Sequence, residues 1–425
     1  MNEKIKQIIK NNWVLFVAFF ILIICYYLYY QFIIEAFPDL ANDVWWYLSY
    51  ANSFFREHLV PYTEFRIEYP PLSLLDWLIP IISTERDTFL EIFNIQNILI
   101  SFIIIILVYI MSKKTNRILP TITLALCLGI FFPISLLRID IFVSLITVFA
   151  VFFFSKYLKT DKVYLGSIAW VLLVIGTFTK LYPVLLAPVF LIFDLKKKNY
   201  RKLFFHCVVS SVVALPLVVF IACNFEGFRT FLDYHSTRPL EFESVMAGFL
   251  FMAEKLFKNL SMNIVYSYQS YNIDNPISYT LASISWYIML LFLALSFIYK
   301  WTRLKKGNDK FLLLINSCSI VINIFVLTNK VFSTQYFLWI VPSLALQLSF
   351  VKQKSKTIIY SIILILISAM SIMVYPILFL NILEKEFCAI WILFSRNLLI
   401  IFINYFLFLS TDKVLILEHE RKIRK

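Results

Sequence analysis

Asp43, Glu68, Arg138, Asp140, Lys180, His235, Arg238, Glu243 and Gln335 stand out as polar side chains in a chain that is otherwise strongly apolar. They come from six separate stretches of sequence. A carboxylate beside several cations suits a reaction in which a hydroxyl loses its proton and a phosphate leaves. The carboxylate serves as general base, and Arg or Lys stabilises the departing anion. Other chemistries lack their residues. The six glycines, at 129, 166, 176, 227, 248 and 307, are too scattered to cradle a phosphate in a Gly-rich loop. The six cysteines are equally dispersed, and His58, His206, His235 and His419 show no metal-binding spacing, so neither a zinc site nor a disulfide framework is expected.

The elements that must position these residues are membrane helices. Of 425 residues, 61% are hydrophobic and 15% charged, against about half and a quarter in soluble domains. Apolar runs fall near 13–34, 90–111, 118–136, 140–157, 163–179, 182–194, 203–222, 277–299, 311–328, 334–350, 357–380 and 388–410. They predict an all-α polytopic membrane protein of about 12 transmembrane helices. The first run is too long for a signal-peptide core and reads as an uncleaved helix. With twelve spans, 27 Lys and Arg fall on one side and 11 on the other, with Arg396 inside the last span. The positive-inside rule then puts both termini in the cytoplasm. The net charge of +13 reports this topology rather than nucleic acid, which is not expected as a partner.

Two connections on the outer side are long, residues 35–89 and 223–276, and long structured loops are where function is expected. In the first, Val44, Tyr47, Leu48, Ala51, Phe54 and Phe55 recur at helical spacing, predicting an amphipathic surface helix that Asn42 or Asp43 could cap. Residues 70–82 are apolar but short and interrupted by Asp76 and Pro80, so they should lie at the interface or re-enter. No repeat or linker divides the chain, which reads as one membrane domain over 1–425. Each polar residue also has a plainer reading. Asp43 could cap its helix, Arg138 and Asp140 could pair locally in a turn, and Lys180 could snorkel to the interface.

In order along the chain, these stretches resemble the GT-C membrane glycosyltransferases, most closely glycosyltransferase family 87, the polyprenyl-phosphate-mannose-dependent mannosyltransferases. Asp43-Val44-Trp45-Trp46-Tyr47 followed by Tyr50-Ala51 resembles the family's Asp-x-x-x-Tyr element. Pro61-Tyr62, Glu68-Tyr69-Pro70-Pro71-Leu72, Arg138-Ile139-Asp140 and Thr179-Lys180-Leu181-Tyr182-Pro183 follow. His235-Ser236-Thr237-Arg238 with Glu243-Ser244, and Phe332-Ser333-Thr334-Gln335-Tyr336-Phe337-Leu338-Trp339, complete the series, with Thr334 where proline is usual. The likeness runs from about residue 40 to 342, and the last two helices match nothing particular.

The resemblance implies a GT-C-type fold and an inverting transfer of mannose or another hexose. The donor would be a polyprenyl-phosphate sugar and the acceptor a glycan or glycolipid hydroxyl, at the outer face of the membrane. By that reading Asp43 is the catalytic base. Arg138, Lys180, His235 and Arg238 contact the donor phosphate, and Glu68, Tyr69, Asp140, Glu243 and Gln335 contact sugar or acceptor. No cofactor or metal is implied, and the partners are the lipid-linked donor, the acceptor and the bilayer. Abundant Ile, Lys, Asn and Phe suggest an AT-rich genome and thus a prokaryotic cytoplasmic membrane. Spacing alone does not separate Asp43 from Asp39 or Glu68 as the base. Two competing readings are a 12-helix transporter or flippase of lipid-linked sugar and a glycan polymerase or ligase. Scarce glycine, no repeat between halves and polar residues in outer loops weigh against the first. The early position of the most charged loop weighs against the second.

Overall fold

The structure, a computed structural model, describes residues 3–257, 259–304 and 309–423. The first half contains α1 (Glu3–Phe32), α2 (Asn42–Phe55), α3 (Arg86–Met111), α4 (Ile118–Ile130), the single turn α5 (Phe132–Ser135), α6 (Asp140–Thr160), α7 (Val163–Thr179) and α8 (Ala187–Lys197). There follow α9 (Tyr200–Cys223), α10 (Phe225–Thr237), α11 (Val245–Leu256), the hairpin β1 (Asn263–Ser267) and β2 (Ser270–Asp274), and α12 (Pro276–Arg303). The chain then forms α13 (Lys310–Thr328), α14 (Phe337–Leu348), α15 (Lys354–Ile372), the short α16 (Phe379–Leu383) and α17 (Phe387–Ile423).

Among the described residues, eight helices are long and apolar enough to cross a bilayer: those within α1, α3, α6, α9, α12, α13, α15 and α17. The chain is therefore a helical integral membrane protein. The other four apolar runs also carry helix, but shorter. α4 stops at Phe131-Phe132-Pro133, and the run at 182–194 opens with a 3₁₀ turn over Tyr182–Leu186 that holds Pro183. α14 follows another 3₁₀ turn, Thr334–Tyr336, and has Pro342 inside it. Hydropathy registers apolarity; proline and tight turns set where the helix stops.

α6 lies at the centre of the bundle, packed against α3, α7, α13 and α14. α9 is its opposite: only 6% of its apolar window is buried, against 67% for α13, so α9 offers its side chains to lipid. One large hydrophobic core unites the bundle with the connection over residues 35–89, and a second, smaller one joins α11, the hairpin and the start of α17.

Residues 35–89 contain the predicted helix and no second long one. α2 buries Val44, Tyr47 and Ala51, while residues 70–82 form two 3₁₀ turns, Pro71–Trp77 and Pro80–Ile82, in place of a long helix. These turns bury Asp76 and Trp77 and leave Leu75, Leu78, Ile79 and Ile82 outside. The cap differs from expectation. A 3₁₀ turn over Pro38–Ala41 runs straight into α2, so Ala41 takes the capping position and Asp43 makes no cap hydrogen bond.

The two long connections, 35–89 and 223–276, are locked together at Gly227 in α10, where an added Cβ would stand 1.8 Å from the Tyr62 carbonyl oxygen. Tyr62 itself sits at φ 70, its ring edge-on to Phe228. Overpacking of this kind costs about 1–3 kcal/mol. Gly227→Ala should lower the thermal midpoint of the detergent-solubilised protein by several degrees, measured by intrinsic fluorescence. An unchanged midpoint would show that α10 is not held on the first loop.

Candidate functional site

α2 brings Asp43 to the start of its first turn, with Tyr47 one turn further on the same side. Arg138, in the turn between α5 and α6, sets its Nε 3.1 Å from Asp43 Oδ2 and donates from Nη1 to the Leu40 and Leu137 carbonyls. The two partners are unequal: the Arg138 side chain is 7% exposed and that of Asp43 44%. The carboxylate is thus held from below and open from above. Beneath it Tyr47 stacks on Trp77 and meets the Tyr69 hydroxyl at 3.4 Å.

Asp140, two residues after Arg138, does not pair with it. Asp140 is buried, and its Oδ1 accepts from Lys180 Nζ at 2.7 Å and from Trp339 Nε1 at 2.7 Å. The helix α7 ends at Thr179, so Lys180 is extended and turns inward rather than out to the interface. Its ammonium lies over the rings of Trp339, Tyr336 and Tyr69 at 5.1, 5.5 and 6.0 Å. Carboxylate and aromatic faces together stabilise a desolvated ammonium.

The second long connection supplies the other side. α10 ends before Arg238-Pro239, as a residue preceding proline disfavours helix. The chain then runs extended between the hairpin and the segment before α14. The Ile273 amide donates to the Leu240 carbonyl, and the Glu241 amide donates to the Lys330 carbonyl. This places Glu241 inside, where Oε1 accepts from Arg238 Nη2 at 2.9 Å and Ser333 Oγ at 2.6 Å. Glu243 Oε2 accepts from the Thr334 amide at 2.7 Å and its hydroxyl at 2.5 Å. Proline at 334 could not make the first of these bonds. From α17, Arg396 Nη1 donates to Thr334 Oγ1 at 3.1 Å, and its Nη2 to the Glu243 carbonyl at 2.9 Å.

Charges across the loops sense one another. Burial raises the pKa of Glu68, Arg66 opposes this, Asp43 adds to it and Arg238 opposes it again. Restricted solvation, then the nearby charges of Arg238 and Lys180, push His235 down to about 4. At neutral pH His235 is therefore a neutral hydrogen-bonding group beside the basic side chains of Arg138, Lys180, Arg238, Lys330 and Arg396. Burial lowers Lys330, which donates to the Ser236 carbonyl at 2.7 Å. Burial and then Glu241 push Glu243 up to about 7, against the pull of Arg396.

The residues singled out from the sequence thus meet at one end of the bundle. Glu68 and Gln335 are half-buried there, and neither side chain makes a hydrogen bond to another described residue. Glu241, Lys330, Trp339 and Arg396 belong to the same assembly and were missed. For Arg396 the signal was present, since an arginine inside an apolar span marks function or pairing. Below Trp339 a narrow apolar cleft of about 40 Å³ opens between α3, α6, α13 and α14, lined among others by Met111, Ser144, Thr147, Val151 and Leu346. No cluster of three or more metal-ligating side chains occurs among the described residues.

The raised Glu243 has a measurable consequence. Between about 4.5, its ordinary value, and about 7 the folded protein keeps a proton that the unfolded chain releases. Its contribution to stability therefore falls as pH rises through that window. Glu243→Gln should flatten the thermal midpoint against pH between about 4.5 and 7; a slope equal to that of the unmodified protein would show Glu243 ionised in the fold. Comparison of the chain with family models, curated proteins and solved structures finds no match.

Proposed function

We propose that the chain is an inverting glycosyltransferase that moves a hexose from a polyprenyl-phosphate donor to a glycan or glycolipid hydroxyl at the outer membrane surface. The observation that carries this reading is the pairing of an open carboxylate, Asp43, with Arg138, beside Lys180, Arg238 and Lys330 at one end of an apolar bundle. Asp43 takes the proton of the acceptor hydroxyl as its oxygen attacks the anomeric carbon. The bond from that carbon to the phosphate oxygen breaks on the opposite face, and both its electrons leave with the lipid phosphate. The cations then bear the phosphate charge that develops. Arg138, buried beneath Asp43 and fixed by the Leu40 and Leu137 carbonyls, orients the base.

Three features support the lipid-linked donor and the side of the membrane. The apolar cleft below Trp339 starts beside the Asp140–Lys180 pair and descends between helices, a narrow seam that would have to widen to admit an isoprenoid chain while its phosphate stays among the cations. Counted over the twelve apolar runs of the sequence, the distribution of Lys and Arg favours both termini inside, which is the reading under which the assembly faces outward. The order of elements resembles the GT-C enzymes of glycosyltransferase family 87, in which Asp43 occupies the place of the base. A donor already activated as a lipid phosphate needs no nucleotide site, in keeping with the dispersed glycines.

Purified protein in nanodiscs, supplied with a panel of polyprenyl-phosphate sugars and a glycolipid acceptor, tests the reading. Asp43→Asn should lower the transfer rate about 10²–10⁴-fold, the contribution of a general base, with donor binding kept. Full activity in that variant would move the base to another carboxylate such as Glu68. Absence of transfer from every donor, with passage of a lipid-linked sugar across the bilayer, would overturn the enzyme in favour of a transporter.

A further inference from the structure

A second cavity lies outside this assembly, on the far side of α2. It has a volume of about 270 Å³ and is lined by Trp45, Leu48, Ser49, Asn52, Thr84 and Arg86. Trp45, Leu48, Ser49 and Asn52 stand at i, i+3, i+4 and i+7, one stripe of the helix. The buried stripe is Val44, Tyr47 and Ala51. With 3.6 residues per turn, the cavity stripe lies about half a turn around α2 from Asp43, so the cavity is separate from the carboxylate's site.

Its walls are held in place. Arg56, just past the end of α2, donates to the Ile81 and Ile82 carbonyls at 3.0 and 3.3 Å and fastens the loop carrying Thr84 against the helix. The Glu85 amide donates to Ser83 Oγ, and Thr88 Oγ1 to Glu85, fixing the turn into α3. The Arg86 guanidinium stands over the Trp45 ring at 5.5 Å. Asn52 gives its Nδ2 to Glu57 and keeps its carbonyl oxygen.

The lining offers a mixture of functions. Among the described residues, Trp45 Nε1, Ser49 Oγ, Thr84 Oγ1 and the Arg86 guanidinium make no hydrogen bond within the protein, and the Asn52 side-chain Oδ1 accepts none. Donors and acceptors therefore alternate around an apolar patch made by Leu48 and the indole. A pyranose has this complement: hydroxyls that donate and accept around its edge, and a C–H face that lies on apolar or aromatic carbon. The volume falls below the roughly 300–1,000 Å³ of drug-sized sites, which suits a single ring. Charge decides between a sugar and a phosphate. Arg86 is flanked in sequence by Glu85 and Asp87, and Glu57 holds the Asn52 amide; against Arg86 and Arg56 the neighbouring carboxylates are in the majority, which disfavours an anion.

We propose that this cavity binds an uncharged sugar residue at a site distinct from that of Asp43. Together with the proposed transferase activity it would hold a distal unit of the acceptor glycan, but the binding itself does not depend on that activity. Saturation-transfer NMR of the protein in nanodiscs with methyl hexopyranosides should give ring-proton signals from at least one of them. Trp45→Ala removes the apolar wall and Ser49→Leu fills the cavity with little demand on the fold; each should lower the signal at least fivefold. Asp43→Asn should leave it unchanged, which separates this site from failure of the transferase reading. Signals that survive both cavity variants, no signal with any neutral glycoside, or binding of inorganic phosphate alone would overturn the proposal.

Discussion

A carboxylate inside an apolar bundle is tolerable only if its charge is answered on the spot, and the arrangement of this protein follows from how Asp140 is answered. One oxygen receives both the Lys180 ammonium and the Trp339 indole. Those two donors come from the end of α7 and from α14, so a single acceptor joins three elements far apart in the chain. Because Lys180 must reach Asp140, α7 must stop at Thr179 and the chain must turn inward. Because Trp339 must reach the same oxygen, its ring stacks between Tyr182 and Tyr336 and forms the boundary between the polar end and the apolar cleft.

The same rule recurs around the site. Arg138 faces Asp43, Arg238 faces Glu241 and Arg396 faces Glu243. Each pair is a local solution to desolvation, and together they let several cations share a small space without repelling one another apart. The pairs differ in one respect that matters for chemistry. Asp140, Glu241 and Glu243 are buried, whereas Asp43 is open to solvent on one side. Three pairs build the wall, and the fourth presents a carboxylate to whatever enters.

Much of this was legible because charge is conspicuous in an apolar chain, and the physical cost of burying it narrows the possible reasons for its presence. Asp43, Arg138, Asp140 and Lys180 could all be picked out on that ground, although which acid faced which base could not. Spacing favoured Arg138 with Asp140, two residues apart, yet each found its partner elsewhere. Glu241 and Lys330 were hidden by ordinary loop polarity. The hairpin was hidden for another reason. Its turn puts Tyr268 and Gln269 in the left-handed region at φ 54 and 51, as a two-residue turn of that kind requires, without the glycine or asparagine that usually announces it. Tyr234 donates its hydroxyl to the Tyr268 carbonyl at 2.5 Å, so tertiary contact supplies what local preference does not.

The reach of Arg396 from the last helix bears on how the protein comes into being. Glu243, its carbonyl group and Thr334 are all synthesised before α17, and Arg396 with Asn397 answers the carbonyls of Glu243 and Ser244. Until that helix packs, the Glu243 and Ser244 carbonyls lack the guanidinium and side-chain amide that meet them in the fold. Completion of the polar end therefore waits on α17, and a chain in which that helix is displaced keeps buried carbonyls with no donor to meet them.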